Sequence, residues 1–207
     1  MKLGKQKYAG SSREAGIFRE TSWGLGRVAS VCIWALLGIL MLGLSSPAPA
    51  QGEVNSEYRV KLAFLYNFAQ FVQWPADAFS GSAAPLVICV DGDNPFQGEI
   101  EESLRGRAVE GHPIQLRRLR PEENPHACQI IFVRAMEMKA ASRILANSKN
   151  STTLTVGEAN GFAQRGGIIN LMREENRLRF EVNVTAAAQT RLKISSKLLV
   201  LAKIVKE

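Results

Sequence analysis

Two glycine-containing loops hold the side chains best suited to chemistry in this sequence. One is Asp91-Gly92-Asp93-Asn94-Pro95-Phe96-Gln97-Gly98, and the other is Thr155-Val156-Gly157-Glu158-Ala159-Asn160-Gly161-Phe162. Each follows a short apolar run that reads as a strand, and the carboxyl ends of strands are where an open α/β sheet holds its ligand. Asp91, Asp93, Asn94, Phe96, Glu158 and Phe162 are therefore the candidate ligand pocket. Carboxyl groups that converge there could relay protons or fix a polar ligand. A purely structural turn is the competing reading, because Asp, Gly, Asn and Pro all favour tight turns. The first loop lacks both G-x-G-x-x-G and a terminal Gly-Lys-Ser/Thr, and its acids would repel a phosphate, so it is not a nucleotide cradle.

Other catalytic chemistries have less to work with. Beyond residue 50 the only histidines are His112 and His126, each beside a proline, and both read as surface residues. No H-E-x-x-H, C-x-x-C or G-x-S-x-G pattern occurs, so neither a metal centre nor an activated serine is expected. The expectation is a protein without catalytic residues, cofactor or metal. Arg117-Arg118-Leu119-Arg120, with Lys197, Lys203 and Lys206 later in the chain, reads as solvated sheet edge, with contact to a membrane or an acidic partner as the alternative.

The N-terminus explains much of the basic character. Lys2, Lys5, Lys7, Arg13, Arg19 and Arg27 precede an apolar run over residues 28–44, which ends in Ser45-Ser46-Pro47-Ala48-Pro49-Ala50. This order is that of a secretory signal, and the small residues at 48 and 50 predict cleavage after Ala50. An uncleaved anchor is the alternative, because the run is at the short limit for crossing a bilayer, although no stop-transfer pattern follows it. Six of the 26 basic and two of the 19 acidic residues lie in this segment, so 20 against 17 remain and the net charge falls from +7 to +3. That residual charge does not support a nucleic-acid footprint. Residues 51–207 have the length of one domain. Cys32 lies in the apolar run, and the even pair left, Cys89 and Cys128, favours a disulfide in an oxidising compartment, with two buried thiols as the alternative.

The elements that must position the two loops can be read from periodicity. Residues 57–74 are helical, stopped by Pro75, with Tyr58, Leu62, Leu65, Ala69 and Val72 on one face. Val60, Phe64 and Phe71 form a second stripe, flanked by Phe68. A helix apolar on two sides is either sandwiched in the fold or covered by a partner, so this stripe is the candidate partner surface. An unbroken apolar run at 86–90, a second buried strand at 129–133 and further strands at 114–119 and 153–156 alternate with helices at 96–104 and 137–147. A hairpin follows over 167–183, then helices at 184–189 and 195–205. The predicted fold class is α/β: a Rossmann-like layered sheet, mostly parallel, with a C-terminal antiparallel hairpin and helices on both faces.

With these residues in view, the segment Val60-Lys61-Leu62-Ala63-Phe64-Leu65-Tyr66-Asn67-Phe68-Ala69-Gln70-Phe71-Val72-Gln73-Trp74-Pro75 resembles the opening helix of YfiR-like periplasmic proteins. Residues 89–96, 155–170 and 179–199 are similar to the same family in the same order. The resemblance implies a Rossmann-like fold, a periplasmic location and a binding repressor without catalysis of its own. Its implied partner is the periplasmic sensor of an inner-membrane diguanylate cyclase, whose restraint lowers cyclic-di-GMP. An outer-membrane lipoprotein is a further implied partner and a homodimer the expected assembly.

Overall fold

Strands buried on both faces need apolar side chains at every position, and the middle of the chain supplies them. The computed structural model describes residues 51–134 and 138–206. In it, β2 (Leu86–Asp91), β4 (His112–Leu119), β5 (Ile130–Val133), β6 (Leu154–Gly157) and β7 (Ile169–Glu174) form a parallel array in the order β4-β2-β5-β6-β7. All four residues of β5 and all four of β6 are buried. β8 (Arg177–Asn183) returns antiparallel on β7, and the short β3 (Ala108–Val109) lies antiparallel on the outer side of β4. The α/β class, the mostly parallel sheet and the terminal hairpin all match the expectation.

The sheet divides its side chains between two cores. Ile88, Val90, Ile130, Phe132, Leu154 and Val156 face one, together with Leu62, Leu65, Phe68 and Ala69 of helix α1 (Gln51–Phe71). Cys89, Ile131 and Val133 face the other, together with Ala141 and Ile144 of helix α3 (Met138–Asn147). Helices therefore cover both faces. The segment assigned as a signal, Met1 to Ala50, lies outside the described residues.

Three differences from the sequence reading each have a physical reason. The first helix ends at Phe71 rather than 74, because β1 (Val72–Gln73) is drawn into an antiparallel pair with β9 (Lys193–Ile194). The helix expected over 96–104 is the single turn α2 (Glu99–Glu102). Phe96 is fully buried, Asn94 accepts a hydrogen bond from its backbone N–H at 2.9 Å, and Gly98 takes φ +68°, so the chain cannot enter a helix earlier. The long C-terminal helix over 195–205 is a correction of kind. After α4 (Val184–Ala188), the helix α5 (Ser196–Leu201) stops and β10 (Lys203–Val205) adds to the sheet, parallel to β8. The β-branched Ile204 and Val205 suit a strand, and pairing supplies β8 with hydrogen bonds that it would otherwise lack.

His112 is not the plain surface residue expected. Its ring is half-buried, stacked on Phe79 at 3.7 Å, and its Nδ1 is 2.6 Å from the Ala84 carbonyl oxygen. His126 is exposed. Cys89 and Cys128 are joined in a disulfide, both cysteines buried and their Cα atoms 5.9 Å apart. The bridge ties the middle of β2 to the segment that enters β5.

The cross-link closes a loop with a sequence separation of 39 residues, for which lost chain entropy predicts about 4 kcal/mol of stabilisation. Denaturant titration of the purified protein with and without reductant should show the reduced form less stable by about 2–4 kcal/mol. Coincident curves would contradict a structural role for the bridge.

Candidate functional site

From β2 the chain crosses to β4 on one side and then back to β5 on the other. At such a switch the loops leaving the strands diverge, and the crevice between them is the usual ligand position of an open α/β sheet. The first half of α1 lies over this crevice. Tyr58 meets Phe96 edge-on at 5.8 Å between ring centroids, and the Lys61 ammonium lies 4.6 Å from the Tyr58 ring. Arg134, directly after β5, donates to the Tyr58 hydroxyl at 3.4 Å and to the backbone oxygen of Asp93 at 2.9 Å. Its Nε is buried with no hydrogen-bond partner, so one donor in the crevice remains unused.

Lys61 is the centre of the arrangement. Only 6% of the residue is exposed, and its Nζ contacts Glu158 Oε2 and Glu57 Oε1 at 2.5 Å each. Tyr58 donates from its hydroxyl to the other Glu158 oxygen at 3.4 Å, and Arg173 reaches Glu57 at 3.4 Å. Burial lowers the pKa of the Lys61 ammonium, but the hydrogen bonds to Glu158 and Glu57 outweigh it and leave the value above that of an ordinary lysine. Glu57 is held below the ordinary glutamate value by its hydrogen bond from Lys61. A buried cation needs such partners, since an uncompensated charge in the interior would be strongly destabilising.

The residues expected to form a pocket are distributed unevenly around this cluster. Glu158 is in it. Asp93 is exposed, joins it through its backbone oxygen, and lies 3.5 Å from Arg118. Asp91 is half-buried, and Asn94 caps its own loop. Phe96 is fully buried beneath Tyr58, and Phe162 is fully buried in the opposite core. The Phe162 ring sits against Gly157 and Gly167, where a Cβ at either position would overlap it. Of the partner stripe, Val60 is 46% exposed, whereas Phe64 and Phe71 are half-buried. The Phe64 ring lies 5.7 Å from Phe68 and 5.9 Å from Phe180.

Sequence reasoning missed Tyr58, Lys61 and Arg134 as a unit. One signal was available for Lys61. It stands beside Leu62 and four residues before Leu65, both core-facing, and a lysine placed there requires an acid within reach.

A raised lysine pKa gives stabilisation that is complete below the unfolded value and is lost as pH rises through the folded one. A lowered glutamate pKa contributes above its unfolded value and is lost as pH falls through the folded one. The cluster therefore holds between about pH 4.3 and about pH 10.4, the unfolded values of the two side chains. Within that window, Lys61→Met leaves the mostly buried Glu158 carboxylate without its cation and should lower stability by about 3–5 kcal/mol in urea denaturation. Adding Glu158→Leu should restore most of that loss. A double variant no more stable than the single one would show that the pair is not the cause.

Among the described residues no cluster of His, Cys, Asp or Glu is suited to hold a metal ion. No curated protein matches the chain. The protein family described as YfiR/HmsC-like matches residues 58–203, from Tyr58 in the crevice through the sheet to the first residue of β10. With most of its length covered by that match, the chain belongs to the YfiR/HmsC-like family.

Proposed function

We propose that this protein is a periplasmic regulator that binds the periplasmic sensor region of an inner-membrane diguanylate cyclase and restrains it, lowering cyclic-di-GMP. The family match over residues 58–203 carries this reading, since the family points to periplasmic regulation of diguanylate cyclases. The Cys89–Cys128 disulfide suits an oxidising compartment. Residues 1–50 act as the export signal in this reading, and no helix among the described residues is long and apolar enough to cross a membrane. The role is binding rather than catalysis, with a homodimer as the assembly and an outer-membrane lipoprotein as a second partner.

The contact surface on α1 centres on its open side. Val60 is the stripe residue that water reaches most, and Arg59 and Ala63 beside it are exposed. Phe64 and Phe71 contribute their outer edges while their remaining surface packs inward. Val60 is therefore the informative position, because a charge there meets a partner without disturbing the core, whereas a charge at Phe64 would break the packing against Phe68 and Phe180.

The test is to measure cyclic-di-GMP in cells that carry the cyclase with the parent protein, with the Val60→Asp variant, or with neither. The parent should lower the nucleotide, and the variant should fold normally yet bind the sensor region about tenfold more weakly, as loss of a central apolar contact does. Equal nucleotide levels with and without the parent protein would refute the regulatory reading. An unimpaired Val60→Asp variant would place the contact elsewhere on the molecule.

A further inference from the structure

At the amino ends of β6 and β7, on the face covered by α3, lies an open cleft of about 360 Å³ between α3 and α4. It is at the opposite end of the sheet from the Lys61–Glu158 cluster. We propose that this cleft binds a small organic anion, a carboxylate carried on a compact apolar body.

Charge is the first reason. Lys149 and Arg165 line the cleft, and no Asp or Glu does. Several surface cations stand next to acids, such as Arg59 with Glu99 and Arg191 with Asp77, and several others do not, so what distinguishes this site is that two cations line one concavity without an acid. Neither Lys149 nor Arg165 forms an ion pair among the described residues, and one guanidinium nitrogen of Arg165 is held by the Asn160 carbonyl oxygen at 2.7 Å. Two cations at one concave site with no acid to compensate them create a positive field that favours an anion. Arg165 is also partly preorganised, which lowers the entropic cost of using it.

The floor is the second reason. Asn183 is 1% exposed and locked at both ends of its amide, donating to the Ala163 oxygen at 2.7 Å and accepting from the Ala186 N–H at 2.8 Å. Thr155, also 1% exposed, lines the cleft and accepts from the Ile168 N–H at 3.0 Å. With that lone pair engaged, its hydroxyl hydrogen has no acceptor among the described residues, and a carboxylate oxygen would supply one. Apolar surface from Leu145, Ile168 and Ala186 lies beside these groups. A concave site with a few polar groups next to apolar walls is the usual form of a small-molecule site, and a volume of about 300 Å³ or more is enough to hold one.

The inference is independent of the regulatory reading, because it concerns a different end of the sheet and is tested on the isolated protein. Phenylacetate, phenylacetamide and inorganic phosphate are titrated separately into the protein while the methyl resonances of Leu145 and Ile168 are followed by NMR. Phenylacetate should shift both saturably, and Lys149→Gln combined with Arg165→Gln should weaken that binding about tenfold or more, since charge-assisted hydrogen bonds are lost. Both positions are exposed, so unchanged thermal melting of this variant is the check that it still folds. Absence of a saturable shift up to about 10 mM, equal binding of the amide, or equal binding by the charge-removed variant would each overturn the proposal. Phosphate binding in place of phenylacetate would overturn the organic class and leave a bare anion site.

Discussion

A parallel sheet built from unbroken apolar runs cannot leave either face to water, and the rest of the architecture follows from covering both. Every residue of Ile130–Val133 and of Leu154–Gly157 is buried, and Thr155 is the one polar side chain among them. α1 must lie across one face and α3 across the other. At 21 residues α1 spans about 31 Å, longer than any strand of four to eight residues, which spans about 13–26 Å. Its first turns therefore overhang the carboxyl ends of the strands, and the crevice that an open α/β sheet normally offers to a ligand is taken up by Tyr58 and Lys61. Once a lysine is forced into that position, Glu158 at the end of β6 and Glu57 one turn earlier on the helix become structural necessities.

The two cores were legible in the sequence because they depend on local pattern. The apolar runs gave the strands, the three- and four-residue spacing of Leu62, Leu65 and Ala69 gave the helix face, and an even cysteine count gave the bridge. What was not legible depends on long-range pairing. Val72 and Gln73 leave the helix because Lys193 and Ile194 lie opposite them, and residues 203–205 are strand because β8 is within reach. Nothing within either segment announces the other. The candidate pocket was half legible for the same reason: Glu158 is at a functional-looking strand end, but its partners Lys61 and Tyr58 lie about a hundred residues earlier, at separations of 97 and 100.

Phe162 shows how a motif can look chemical and prove mechanical. Its glycine-rich neighbourhood reads as a ligand loop, yet the ring is fully buried and closed over by backbone at Gly157 and Gly167. Glycine is needed at both positions because any side chain would occupy the space of the ring. The ring in turn fixes the loop that leads from Glu158 to the start of β7. The position of Glu158 beside Lys61 is thus secured from both directions, by the ion pair above and by the packing of Phe162 below the same loop.

The consequence for function is a division of the molecule into a closed end and an open end. At the carboxyl ends of the strands, Lys61 is held between Glu57 and Glu158, aromatic rings interlock and α1 presents its outer side to whatever approaches it. At the amino ends of β6 and β7, the sheet is covered less completely, because α3 spans ten residues and α4 only five, and the space between them is left with cations that have no acid. For the binding role proposed above, these two ends are suited to different classes of partner. A helix side held rigid by a buried ion pair and an aromatic cluster suits a protein surface, since preorganisation lowers the cost of association. A small concave site lined by unmatched charge suits a molecule of a few heavy atoms. Were both occupied, two short stretches of chain would join them: β6 with the residue after it, from Thr155 to Glu158, and the loop that runs from Glu158 through Phe162 to Arg165.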